Sequence, residues 1–283
     1  MRQHDFRLNR FSLSLTNVAQ AKVAAPACLQ RMLLTSVAGA ALLICGASSA
    51  WASCGPLLAN NMNATCTGAT TSTFGTGNEN NGTVTVAPGA SMVVSGSSGY
   101  TTGFDFASAT LNNHGTISAT DTSANANAYG VNSGSTTVNN FGSITAYGDS
   151  AFAASAFGGD LSVTNAGTIS AFASGFVGGG VYNSSNATTV VNSGTITAAS
   201  TYTAYGVYAT TTASVTNSGA IEATNTASNW AYAVFANDAV VTNSGRIAAT
   251  NNAGGETYGV YGLNSTTLTN SGVIAASTSG SDS

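Results

Sequence analysis

From Leu111 onward, one alternation of apolar and polar residues returns again and again. In VTNSGAIEAT, Val215 to Thr224, the residues Val215, Asn217, Gly219, Ile221 and Ala223 share one parity. Thr216, Ser218, Ala220, Glu222 and Thr224 share the other. A period of two predicts strands with one buried face. Val, Ile and Ala take the inward positions, and the charges Glu222 and Arg246 take outward ones. The density of Gly, Asn, Ser and Thr disfavours helix.

Copies of this segment begin at Leu111, Val138, Val163, Val190, Val215, Val241 and Leu268. Their glycines are Gly115, Gly142, Gly167, Gly194, Gly219, Gly245 and Gly272, spaced by 27, 25, 27, 25, 26 and 27 residues. A second phase lies between them: AYGVN from Ala128, AYGVY from Ala204, AYAVF from Ala231 and TYGVY from Thr257. TTGFDF from Thr101 reads as an earlier member, whereas Phe152 to Phe157 and Val177 to Tyr182 fit the phase poorly and are expected to bulge.

A unit of about 26 residues with three strand-like stretches (V-T-N, G-x-I-x-A and Y-G-V-Y) predicts one coil of a parallel β-helix, an all-β solenoid. One coil cannot bury its own face, but stacked coils share a continuous core. Residues 101–283 read as the repeats. Residues 53–100 read as a capping and first-coil region, in which Gly82 to Gly96 adds one or two coils.

Inward asparagines at one bend would lie above one another. Asn113, Asn140, Asn165, Asn192, Asn217, Asn243 and Asn270 are therefore expected to form an amide ladder, satisfying buried polar groups. The glycine two places on is expected to supply turn geometry that a Cβ resists. Tyr205, Tyr232 and Tyr258 read as a packing ladder, with a sugar-stacking surface as the functional alternative.

Composition narrows the class. Only 6% of the 283 residues are charged, far below the roughly 25% of ordinary soluble domains. The N-terminus differs: Arg2, Arg7, Arg10, Lys22 and Arg31 precede an apolar run, Met32 to Gly46, and Ala50-Trp51-Ala52 closes it. That order describes a secretory signal peptide, residues 1–52. The apolar run is shorter than the roughly 20 residues of a membrane span. Cleavage after Ala52 would leave one basic and nine acidic residues, a net charge of −8. Phosphate binding needs several Lys or Arg, so a nucleic-acid partner is excluded. In an oxidising compartment Cys54 and Cys66 are expected to pair.

Candidate chemistry is sparse, and no cofactor is implied. Asp121 and Asp149, 28 residues apart, could meet near a turn as an acid–base pair or a weak cation site. Arg246 reads as a solvated charge and His114 as an outward turn residue without a serine motif such as G-x-S-x-G. FGGDLS, Phe157 to Ser162, matches one turn of a calcium-binding nonapeptide array in a single copy.

The N-S-G-x-I-x-A repeats, the A-Y-G-V-Y phase, the long signal segment and V-A-P-G-A-S (Val86 to Ser91) together resemble the passenger region of type V-secreted autotransporters. The resemblance spans nearly all of the chain after residue 52. It implies a right-handed β-helix, a cell-surface, outer-membrane or extracellular location, and a C-terminal outer-membrane β-barrel. No barrel-like run of strands is present before the closing STSGSDS, so a truncated product or fragment is expected. The expected role is an adhesin or structural rod that binds a host protein or glycan and is not an enzyme. The alternatives are a β-helix glycan lyase or hydrolase, and a self-associating surface or biofilm protein that pairs through the open edge near Ile274.

Overall fold

The computed structural model describes residues 53–55, 59–227 and 229–279; the signal segment expected at residues 1–52 lies outside them. Among the described residues there is no helix. The chain forms a parallel β-solenoid of about eight coils built from two sheets, one of thirteen strands and one of nine. Every pairing is parallel except that of Ser53–Gly55 with Asn63–Thr67.

The nine-stranded sheet carries the G-x-I-x-A stretches. Ile117, Ile144, Ile169, Ile196, Ile221, Ile247 and Ile274 are register partners in successive strands. The spacing of these partners is the spacing of the repeat glycines, so each period in sequence is one coil in space. The first six isoleucines are fully buried, each contributing on the order of 2–3 kcal/mol of hydrophobic burial. Across the interior stands the glycine of Y-G-V-Y. A Cβ on Gly130 would come within 2.7 Å of Ile144 Cγ2, and one on Gly206 within 2.7 Å of Ile221 Cγ2. Isoleucine packs directly against these glycines, and Ala153 and Ala233 take the same place in two other coils.

The thirteen-stranded sheet departs from the sequence reading. The Y-G-V-Y and V-T-N stretches run together as single strands in five coils: Tyr100–Asn113, Asn127–Asn140, Thr203–Asn217, Trp230–Asn243 and Thr257–Asn270. Two of the pairings between them absorb a length difference as a register shift, between Ala209 and Thr212 and between Ala236 and Asp238. Only two coils split, into Ser150–Ala156 with Leu161–Asn165 and Val177–Asn183 with Thr188–Asn192. The segments expected to bulge are themselves regular: Phe152 pairs with Tyr129 and Val181 with Ala154. Phe152 takes a tyrosine position and Gly179 leaves one without a side chain, which hid the phase in the sequence.

The asparagines form an unbroken ladder. From Asn113 to Asn270, each Nδ2 donates to the Oδ1 of the next coil at 2.7 Å. Each of the first six also donates to a backbone carbonyl of that coil, as Asn192 does to Ala220 at 3.0 Å. The polar atoms of these buried amides are thus satisfied. The glycines two places on correct the expectation of special turn geometry: none of the seven lies in the left-handed region. They are needed because successive coils touch there. A Cβ on Gly142 would stand 2.0 Å from the Gly115 carbonyl oxygen, and one on Gly219 would stand 2.1 Å from that of Gly194.

At the N-terminal end, Gly82–Val86 and Ser91–Gly96 pair with the first full coil. Cys54 and Cys66 are joined by a disulfide across the antiparallel pair. Phe74, Phe104 and Phe106 pack edge-on and stacked at 5.8–6.0 Å inside this cap.

Candidate functional site

With the repeated residues turned inward, the variable ones form the outer surface. Arg246 Nε meets Glu222 Oε1 at 2.9 Å, one coil apart, with both side chains exposed. The arginine is therefore ion-paired, not simply solvated, though an exposed pair contributes under about 1 kcal/mol. His114 is exposed at the bend and stacks on Phe141 one coil away, with centroids 4.8 Å apart and planes 6° apart.

The second-phase aromatics form two neighbouring columns. In one, Tyr205, Tyr232 and Tyr258 stack at 5.4 Å, within 9° of parallel. In the other, Tyr182, Tyr208, Phe235 and Tyr261 stack at 4.6–5.5 Å. At Gly179, where the first column has no ring, Tyr182 leans across to Phe152 at 4.5 Å. Within the columns each ring covers the face of the next. Burial, with the neighbouring phenols adding, pushes the hydroxyls of Tyr129 and Tyr182 up to about 12. Tyr232 is likewise pushed up to about 12 by burial, with Glu256 and nearby phenols adding. A continuous sugar-stacking face along Tyr205, Tyr232 and Tyr258 does not follow, because their faces are taken by one another.

Asp121 and Asp149 do sit at the same corner of neighbouring coils, but each has its own donors. Asp121 is buried and accepts from Thr101 Oγ1 at 2.9 Å, Ser123 N at 3.0 Å and Ser123 Oγ at 2.6 Å. Burial alone would raise its carboxyl; these hydrogen bonds outweigh that and hold it below the usual range. Asp149 accepts from Asn125 N and from Ser174 Oγ. Asp121 belongs to a second column of buried polar residues that the sequence reading missed, with Ser200, Asn225 and Asn251. Each accepts from the backbone N–H two residues on, closing the corner as a side-chain turn. The available signal was position: all four lie six residues after a repeat glycine.

In FGGDLS, Asp160 Oδ1 accepts from Ala187 N at 3.3 Å. Among the described residues no group of three or more His, Cys, Asp or Glu is arranged to hold a metal ion.

Two concavities open on the thirteen-stranded sheet. A groove of about 550 Å³ is lined by hydroxyls, among them Ser108, Thr110, Ser135, Thr137, Ser162 and Thr189. A cleft of about 370 Å³ lies where the cap meets the first coils. There Asn132 Nδ2 donates to Asp105 Oδ1 at 3.0 Å and to Tyr100 Oη at 2.8 Å. Burial pushes the Asp105 carboxyl up against the opposing Asn132 bond, and the charge of Glu79 adds to the rise. Glu79 is fixed close by, accepting from Thr76 Oγ1 at 2.6 Å and Thr76 N at 2.9 Å. The sequence reading passed over Tyr100, Asp105 and Asn132, which stand on two coils and show no motif in one dimension.

No protein-family model matches the chain, and neither a curated protein nor a solved structure matches it at a significant level.

Proposed function

We propose that this chain is an exported, autotransporter-like passenger, a rod on the cell surface or released from it that acts as an adhesin by binding, not by catalysis. The observation that carries the reading is the division of labour in each coil. Invariant residues build the interior ladder and core, while the outward face repeats with variation from coil to coil. A stack of similar outward faces suits many weak contacts made together, where avidity exceeds any single affinity. The separate engagement of Asp121 and Asp149 by neighbouring donors supports binding over acid–base chemistry. The partner is a surface ligand, a host protein or a glycan.

The test is made on the cell that produces the protein. Intact cells are treated with a non-penetrating protease, and adherence of the strain is compared with that of a deletion strain. Digestion on intact cells and loss of adherence on deletion are expected. Retention of the protein inside the cell, or unchanged adherence, would overturn the reading.

A further inference from the structure

We propose that the cleft formed by Tyr100, Asp105, Tyr129, Asn132, Ser133 and Phe157 is a saccharide subsite that takes a neutral pyranose. The proposal rests on the reading of the chain as a binding module and names the ligand class of one place on it. The rings come first. Among the described residues Tyr100 contacts one other ring, Tyr129, at 5.1 Å and 42°, and is 49% exposed; Phe157 is 41% exposed. Within the two stacked columns the rings cover one another's faces, so Tyr100 and Phe157 offer this cleft aromatic surface that the columns do not. An apolar ring beside a few fixed polar groups is the usual make-up of a small-ligand site.

The polar groups are placed and incompletely used. Asn132 holds Asp105 and Tyr100 together through its Nδ2, while its buried Oδ1 has no hydrogen-bond partner among the described residues. Ser133 is 3% exposed, stands in register with the core residues Phe106 and Ala156, and its inward Oγ has no partner among the described residues. Both residues line the cleft. Buried polar atoms left unpaired are costly and call for an explanation. Adjoining hydroxyls of a sugar, each both donor and acceptor, can pair with the Asp105 carboxylate and the Tyr100 hydroxyl, which Asn132 holds side by side in the cleft.

The charge and packing choose among ligands. Asp105 with Glu79 nearby disfavours an anionic sugar. A quaternary ammonium group would need aromatic walls spread around it, whereas these rings touch each other, with Tyr129 to Phe157 at 5.6 Å and Tyr129 to Tyr100 at 5.1 Å.

The test is calorimetric titration of the purified full chain with cellohexaose, chitohexaose and mannohexaose, and separately with tetramethylammonium. At least one hexasaccharide is expected to bind. Tyr100→Ala and Asp105→Asn are each expected to weaken that binding about tenfold, the scale of one charged hydrogen bond or one stacked ring. Phe172→Ala, an exposed ring on the other sheet, is expected to leave it unchanged. Should Tyr100→Ala fail to fold by circular dichroism, Asp105→Asn carries the test. The proposal is overturned if no hexasaccharide binds, if these variants bind as the parent does, or if only tetramethylammonium binds. Adherence that is lost on gene deletion yet unaffected by the cleft variants would overturn the cleft alone and leave the binding rod standing.

Discussion

Replacing Asn192 by alanine tests the ladder at its centre. Asn192 is buried, accepts from Asn165 Nδ2 at 2.7 Å, and donates to Asn217 Oδ1 at 2.7 Å and to Ala220 O at 3.0 Å. Removing it leaves Asn217 Oδ1 without its amide donor, whereas Asn165 Nδ2 keeps the carbonyls of Gly167 and Thr195. One buried unpaired acceptor costs about 1–3 kcal/mol. The lost carbonyl bond and the small void bring the total to about 2–4 kcal/mol. Asn270 is the internal control. Its Nδ2 donates to Gly272 O as Asn192 Nδ2 does to Gly194 O, and its Oδ1 also accepts from Gly272 N, but it is exposed and has one ladder partner, Asn243. Asn270→Ala is therefore expected to cost about 1 kcal/mol. Urea unfolding followed by far-ultraviolet circular dichroism measures both; the Asn192 variant should lose roughly 1 M of midpoint for a slope near 3 kcal/mol/M. Equal losses for the two variants would show that the amide serves only its own bend, and the ladder argument would fail.

Two further outcomes follow from the same geometry. Gly219→Ala places a Cβ 2.1 Å from the Gly194 carbonyl oxygen and should cost about 3 kcal/mol or more in the same melt. Gly206→Ala should cost clearly less, because Ala153 and Ala233 already occupy that column, and a reversed order would refute the close-contact explanation. The phenols of Tyr129, Tyr182 and Tyr232 are raised from 10 to about 12 by burial, so the folded state holds those protons more tightly. Their contribution to stability is full below pH 10 and is lost as pH rises through about 12. Spectroscopic titration at 295 nm should show a phenolate fraction appearing late in the native protein and near pH 10 in urea; coincident curves would contradict the buried columns.

Much of this was open to reading in one dimension. The parity of Val215, Asn217, Ile221 and Ala223 defined the inward face, and the spacing of the repeat glycines defined the coil, because each coil must put the same residues in the same place. The register between the isoleucines follows that count without exception. Phe152 and Gly179 were harder. A column tolerates a different ring, or none when Tyr182 leans across, so packing is kept while the letters change.

The sequence by itself determined the all-β class, the coil length and which asparagines stack, since all three are properties of a period. Only the tertiary structure decided why the glycines are there. Their role is a contact between backbones of different coils, and such a contact has no trace in the local conformation that a sequence encodes. Tyr100, Asp105, Asn132, Ser133 and Phe157 also needed three dimensions, because three different coils contribute one wall each. A repeat specifies what is the same in every coil; a site is made where neighbouring coils differ.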